Sequence, residues 1–228
     1  MAGATGTKTS PNGRAGARRG RVVQRVASLR EQAQTDPVGA RDEAWSWIQE
    51  LGRRAARYRD QALDELGQLF RAGEPADDIS GQTEGLLVTW TVHPVADKVI
   101  GTVTSAWMPW VGKAFTPEDG VGVNTLTRSS RLPAKLVWPL YRMRDAPDGY
   151  SAFDFNTYVE RGRLDPVDVL VIDYASVPRN PALVIRQIRD ELVRIVPGAN
   201  LGKMLVNVPG RSEPFPALYF ALKSEIGS

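Results

Sequence analysis

The stretch SAWMPWVGKAF, residues 105–115, concentrates side chains that are suited to binding or reacting with a small molecule. Trp107, Trp110 and Phe115 supply aromatic surface around the single amine of Lys113. One interpretation is a pocket mouth, in which the lysine orients an acidic head group; an amine beside rings also loses its proton more easily, as Schiff-base chemistry requires. The other is a packed corner, in which the rings cover the core and the lysine extends to solvent.

His93 is the single histidine of the chain, and cysteine is absent. An imidazole-rich metal site and thiolate chemistry are therefore not available, and a Ser-His-Asp triad is possible around His93 alone. His93 precedes Pro94, which favours an extended backbone at a strand end or helix start. It is either a general base or a structural loop residue. The Gly-Lys pair at Gly112 is followed by Ala114 and lacks the upstream glycine of a phosphate-binding loop. We expect no metal and no cofactor.

Three further polar residues fall in predicted strands. Asp173 shares a strand face with valines, where a carboxylate is costly unless it is paired or lies at a rim. Lys203, between Leu201 and Leu205, is a candidate partner, and Tyr158 is a third candidate contact for a ligand. An internal ion pair and a pair of catalytic carboxylates are both compatible with the pattern.

The first third of the chain has a different composition from the rest. Residues 1–72 contain thirteen Lys or Arg against eight Asp or Glu, a net charge of +5, whereas residues 73–228 carry −2. Residues 1–20 lack large apolar side chains and are typical of a disordered basic tail. Residues 21–72 show apolar spacings of three and four, which predict helices. The apolar stripe at Val22, Val26 and Leu29 is narrow, so a solvated arm or a self-associating helix is favoured over a nucleic-acid or membrane contact.

The pattern changes to strands after residue 80. The runs at 84–92, 120–128, 134–144, 150–162, 167–174, 200–208 and 217–224 predict strands, and those at 150–162 and 167–174 predict a hairpin. Two segments predict interrupting helices. These are residues 94–107 and, with Asn180 as cap, Pro181 in the first turn and apolar spacing to Ile195, the segment 181–196.

Short turns between strands imply antiparallel pairing. About seven such strands must bury one face, and closing into a barrel buries it and removes the edges. A barrel of about eight strands is just wide enough for one small ligand. The expected fold class is therefore α+β, with an N-terminal helical segment followed by an antiparallel β-barrel over residues 80–225 with one or two interrupting helices.

The runs WMPWVGKAF, VLVIDY, LGKMLV and LYFALK carry a resemblance to bacterial proteins with a lipocalin-like, calycin-type small barrel. The resemblance spans residues 64–224. The Gly-x-Trp element of lipocalins is not present in that form, because Gly85 and Trp90 are farther apart. The resemblance implies a barrel with an apolar cavity and leaves the ligand open.

The leading hypothesis is a cytoplasmic protein that binds a small apolar or amphipathic ligand in this barrel, with Trp107, Trp110, Lys113 and Phe115 at the mouth. The cytoplasmic location follows from the absence of cysteine, of a secretory signal and of a transmembrane segment. Two alternatives remain. One is an isomerase or cyclase that uses His93 and Lys113, and the other is an interaction module that acts through the N-terminal helices.

Overall fold

The computed structural model describes residues 11–91, 110–128, 143–146, 149–208 and 210–226. Three helices come first: α1 (Pro11–Ala33), α2 (Pro37–Ala55) and α3 (Arg59–Arg71). The carboxylate of Asp36 caps α2 by accepting a hydrogen bond from the Gly39 amide at 2.9 Å, and Pro37 occupies the first turn, as expected at a helix start. None of these helices has the length and apolar character needed to cross a bilayer.

Strands make up most of the remaining described residues. They are β1 (Glu74–Pro75), β2 (Gly81–Gln82), β3 (Glu84–Trp90), β4 (Trp110–Thr116), β5 (Val121–Leu126), β6 (Arg144–Ala146), β7 (Gly149–Arg161), β8 (Asp168–Asp173), β9 (Ile188–Val196), β10 (Ala199–Val206) and β11 (Phe215–Lys223). All pair antiparallel in one sheet of order β2-β4-β5-β7-β8-β9-β10-β11-β3, with β1 added to β9 and β6 to β7.

The two ends of this sheet meet, so the sheet is a nearly closed barrel. Thr83, between β2 and β3, donates its amide hydrogen to the Lys113 carbonyl oxygen on β4 at 2.8 Å. The approach depends on glycine, because a Cβ at Gly112 would lie 2.0 Å from the Thr83 carbonyl oxygen. The α+β class, with N-terminal helices followed by an antiparallel barrel, is therefore confirmed.

The strands bury two separate cores. Side chains such as Phe155, Ile172 and Phe220 fill the barrel interior. The outer face of β8–β11 is covered by the three helices, and there Ile48, Leu66 and Val193 belong to a second core. The predicted stripe of Val22, Val26 and Leu29 packs into this second core. The stripe is thus used within the chain, which leaves less apolar surface on α1 for self-association.

The helix predicted over residues 181–196 is wrong. Residues Ile188–Val196 form β9, between β8 and β10. Asn180 does not cap a helix; its side-chain amide donates to the Asp154 and Tyr174 carbonyl oxygens. Both faces of β9 are buried, so its sequence lacks the alternation of a half-exposed strand, and its apolar residues fall by chance at helical spacing.

Six of the predicted strands are present in the structure. The strands predicted at 84–92, 120–128, 150–162, 167–174, 200–208 and 217–224 are confirmed to within a few residues, as is the hairpin of β7 and β8. Helix α1 begins at Pro11, ten residues before the boundary expected at residue 21. The predicted helix 94–107, most of the predicted strand 134–144, His93 and Trp107 lie outside the described residues.

Candidate functional site

Lys113 of β4 lies inside the barrel and is fully buried. Four aromatic rings surround its amine, with Nζ-to-centroid distances of 5.7 Å for Trp110, 5.3 Å for Phe155, 5.2 Å for Tyr174 and 5.5 Å for Phe220. These distances are within the range of cation–π attraction. The pocket-mouth and corner interpretations both placed this lysine near solvent, and the structure places it in the barrel core.

The amine also has three oxygen partners. Lys113 Nζ lies 3.0 Å from Asp190 Oδ2 and 2.8 Å from Asn124 Oδ1, and it donates to the hydroxyl of Tyr174. Asp190 is fully buried as well. An ammonium has three hydrogens to donate, so these partners use its donor capacity in full. We call Lys113, Asn124, Tyr174 and Asp190 the inner cluster.

Strand register brings the inner cluster together. Asn124 of β5 is the direct cross-strand partner of Lys113. Asp190 of β9 is paired with Ile172 of β8, and Tyr174 follows immediately after that strand. The Tyr174 hydroxyl lies 3.1 Å from Asp190 Oδ2, to which it donates its hydrogen. The cluster therefore links strands from opposite parts of the sheet across the barrel interior.

The amide of Asn124 completes the network. Its Nδ2 donates to the Phe153 carbonyl oxygen at 3.2 Å and to the Tyr174 hydroxyl at 3.1 Å. Phe153 is the one non-glycine residue with positive φ in the described part of the chain, at 54°. This backbone turns the Phe153 carbonyl within reach of the asparagine, so a strained position supports the cluster.

Burial perturbs every titratable group of the inner cluster. Removal from water lowers the pKa of Lys113, and the attraction of Asp190 opposes that effect. Burial likewise raises the pKa of Asp190, against the attraction of Lys113. Burial and the neighbouring carboxylate hold the pKa of Tyr174 well above its ordinary value. Each charge of the pair is thus kept in place mainly by the other.

One acceptor of the inner cluster has no partner. Asp190 Oδ1 is buried and receives no hydrogen bond from the residues that the structure describes. An unpaired buried acceptor costs about 1–3 kcal/mol. The cluster is therefore richer in acceptors than in donors.

A small pocket opens beside the inner cluster. Its wall consists of Trp110, Asn124, Leu126, Phe153, Tyr174, Ile185 and Ile188. It contains about 270 Å³ of free space including its open side, of which about 10 Å³ admits the centre of a water molecule. The second value is the one to compare with ligand pockets; it is far below their usual size, and it corresponds to room for about one water molecule. We call this space the inner pocket; its walls are apolar apart from the asparagine, the tyrosine and the indole N–H.

A larger groove adjoins the inner pocket. It has a volume of about 680 Å³ and is lined by residues that include Arg41, Tyr150 and Lys223, and Leu126 borders both spaces. Arg41 pairs with Asp42 and Glu225, and Lys223 pairs with Asp42, so the two cations have two carboxylate partners. Leu126 is the side chain that lines both spaces.

The structure separates the predicted site residues into two groups. Trp110, Lys113 and Phe115 lie together in the barrel interior. Tyr158 is 43% exposed, and the Asp173 carboxylate accepts a hydrogen bond from the Ala175 amide at 2.8 Å, away from the inner cluster.

Lys203 lies on the outer face of the sheet. It pairs with Asp165 beneath the helices, and its amine is 4.5 Å from the centre of the Phe70 ring. Asp165 also accepts from Arg71 at 3.1 Å. The internal ion pair considered for Lys203 is present with Asp165 and not with Asp173. We call Arg71, Asp165, Lys203 and Tyr219 the outer cluster.

Sequence reasoning missed Asn124, Tyr174 and Asp190. Asp190 falls within the segment 181–196 that was predicted as a helix, and a helix does not place it in a barrel interior. A strand alternation of Ile188, Asp190 and Leu192 was the available signal, because it places an aspartate on an apolar face. No group of three or more potential metal ligands occurs among the described residues.

Comparisons with known proteins give little guidance on function. No protein-family model matches the chain, and no curated protein matches it significantly. A crystal structure of a protein from Thermomonospora curvata matches the chain with 17% sequence identity and a TM-score of 0.40. The match covers 77% of this chain and 99% of that one. These values are too low to transfer a function, so the function must be argued from the site itself.

Proposed function

We propose that this protein binds a small, mainly apolar molecule in the inner pocket, with the ligand's polar atom at Asn124 and Tyr174. The observation that supports it most is an open, apolar pocket that ends at a fully buried polar cluster. Small-molecule sites are usually apolar pockets with a few convergent polar groups and neighbouring side chains whose pKa values are shifted.

The inner cluster is costly as a purely structural device. A buried ion pair can often be replaced by apolar side chains without loss of stability, because dehydration offsets most of the attraction between the charges. Lys113 and Asp190 are both fully buried and carry pKa values shifted toward their neutral forms. A role in recognising a ligand accounts for keeping such a pair in an aromatic interior.

The size of the inner pocket restricts the ligand. Space for about one water centre means that a ligand of more than a few heavy atoms must displace a lining side chain. Leu126 lines both the inner pocket and the groove, so rotation of its side chain would provide a route inward. The proposed ligand is therefore small and flexible, of the size of a short-chain alcohol or a single ring.

Binding of hexan-1-ol, measured by calorimetry and ligand-detected NMR, tests the proposal. We expect saturable binding that Leu126→Phe weakens by about tenfold or more, because a larger side chain occupies the pocket. Val121→Phe is the matched control, since Val121 lies on the same strand with 37% exposure. Absence of saturable binding in the wild type, or equal loss in both variants, would overturn the proposal.

The lysine-based enzyme alternative has less support from the geometry. Schiff-base formation needs an uncharged amine that can reach a carbonyl carbon. The three donor positions of Lys113 are directed to Asp190, Asn124 and Tyr174. A carbonyl compound would have to break this network before reacting, so binding without covalent chemistry is the simpler role.

A further inference from the structure

The hydrogen bonds of the inner cluster bear on which ligand the inner pocket accepts. We infer that the pocket selects an uncharged ligand that donates one hydrogen bond, such as an alcohol or a phenol, and rejects carboxylates. This inference rests on the proposed function and specifies the ligand class for the same site.

The two oxygen-bearing side chains of the pocket wall, Asn124 and Tyr174, have no donor hydrogen left for a ligand. Both hydrogens of the Asn124 amide are used, one on the Phe153 carbonyl oxygen and one on the Tyr174 hydroxyl. The Tyr174 hydrogen is donated to Asp190 Oδ2 at 3.1 Å, with Asn124 Oδ1 as the other oxygen in reach at 3.3 Å.

An acceptor position remains at the same place. Asn124 Oδ1 has two lone pairs and accepts from Lys113 Nζ at 2.8 Å. The Tyr174 oxygen already accepts from Lys113 and from the Asn124 amide, which uses both of its lone pairs. When Tyr174 donates to Asp190, the second lone pair of Asn124 Oδ1 is the acceptor that a ligand can reach.

The charges of the cluster give a carboxylate no compensation. Lys113 is the cation of the inner cluster, and its charge is matched by Asp190 at 3.0 Å. A carboxylate in the inner pocket would lose its hydration and gain no free cation. The indole of Trp110 can supply at most one neutral N–H, which does not replace the hydration shell of an anion. The acidic head group expected from the sequence is therefore not the ligand that this geometry favours.

A ligand carrying a cation is disfavoured for a related reason. An ammonium group at Asn124 Oδ1 would approach the Lys113 ammonium, which lies 2.8 Å from the same oxygen. Two ammonium groups that share one acceptor oxygen repel strongly in a medium that excludes water. The inner pocket is thus selective for uncharged ligands. A single hydroxyl satisfies the remaining lone pair of Asn124 Oδ1, because Asp190, whose Oδ1 also lacks a partner among the described residues, is not part of the pocket wall.

Three ligands of similar size separate these possibilities on the wild-type protein. They are hexan-1-ol, pentyl methyl ether, which lacks the donor, and hexanoate at neutral pH, where it is ionised. We expect the affinity for the alcohol to be at least about tenfold higher than for hexanoate and several-fold higher than for the ether. Equal binding of alcohol and ether would disprove the donor requirement, and equal or tighter binding of hexanoate would disprove the charge selectivity.

The same series separates failure of the inference from failure of the proposed function. If none of the three ligands binds, the inner pocket is not a binding site and both ideas fail. If alcohol and ether bind and the order differs from that expected, the pocket binds ligands and the inference alone fails. Asn124→Val, used after thermal denaturation shows that it folds, should bind alcohol and ether equally; a retained preference for the alcohol would contradict the role of Asn124.

Discussion

Two lysine–aspartate pairs lie on opposite faces of the same sheet, and they differ in their access to water. In the inner cluster, Lys113 and Asp190 are both fully buried. In the outer cluster, Lys203 and Asp165 are each 5% exposed, and Arg71, which is far more exposed, also binds the aspartate. The outer aspartate therefore has two cations, one of them in contact with solvent.

The two environments have different consequences for charge. Within the barrel, each member of the pair depends on the other, and burial shifts both pKa values toward the neutral forms. Under the helices, removing one cation leaves Asp165 with the other. Two pairs of the same residue types thus have different roles: the outer one joins α3 to the sheet, whereas the inner one lies beside a pocket.

The largest effect is expected from removing one cation at each site. Lys113→Met leaves Asp190 buried without a cation and should lower the free energy of unfolding by about 3–5 kcal/mol. Lys203→Met leaves Asp165 paired with Arg71 and should cost about 1–3 kcal/mol. Urea denaturation of both variants measures the difference. Equal losses would show that access to solvent does not distinguish the two pairs.

The pH dependence of stability should separate the two members of the inner pair. In Lys113→Met, burial raises the pKa of Asp190 in the folded state above its unfolded-state value of about 3.9. The contribution of Asp190 to the free energy of unfolding is therefore fully present below about pH 3.9, and it is lost as the pH rises through the folded-state pKa. In Asp190→Asn, burial lowers the pKa of Lys113 in the folded state below its unfolded-state value of about 10.4. The contribution of Lys113 to the free energy of unfolding is therefore fully present above about pH 10.4, and it is lost as the pH falls through the folded-state pKa.

Between these limits the two variants should have opposite slopes relative to wild type, of up to about 1.4 kcal/mol per pH unit. Chemical denaturation at a series of pH values provides the measurement. Lys203→Met serves as the control for general effects of removing a lysine. Slopes of the same sign in both variants would contradict the assignment of the pair as mutually dependent charges.

A smaller effect is expected from removing single hydroxyl groups. Tyr174 accepts from Lys113 and donates to Asp190, so Tyr174→Phe should cost about 1–3 kcal/mol. In the outer cluster, the Lys203 amine lies 5.3 Å from the centre of the Tyr219 ring and pairs with Asp165; Tyr219→Phe keeps the ring and the pair and should cost less than about 1 kcal/mol. Thermal and urea denaturation compare the two; a larger loss for Tyr219→Phe would reverse the ranking of the clusters.

The smallest net change is expected when both inner charges are removed together. Lys113→Met combined with Asp190→Leu eliminates the dehydrated pair, so stability should stay within about 1 kcal/mol of wild type or increase. Binding of hexan-1-ol should nevertheless weaken, since Asn124 and Tyr174 lose the partners that orient them. A double variant as unstable as Lys113→Met would show that the pair is needed for folding itself.

The sequence predicted much of the fold and one part of the site. Alternation and turn residues identified β3, β5, β7, β8, β10 and β11, and the need to bury their inner faces led to the barrel. Of the four rings around the Lys113 amine, the sequence singled out Trp110 alone, because Phe155, Tyr174 and Phe220 come from distant segments. The β9 segment was misassigned because its apolar residues fall at helical spacing and follow Asn180 and Pro181, which resemble a helix start.

What the sequence determined by itself is local: an amphipathic helical segment over residues 21–72, a succession of β-branched runs, and aromatic side chains near one lysine in the chain. Only the tertiary structure decided that Lys113 faces inward and meets Asn124, Tyr174 and Asp190, which come from β5, the end of β8 and β9. The physical reason is register. Side chains change face with every residue along a strand, so partners that lie tens of residues apart meet only when the pairing of every intervening strand is fixed.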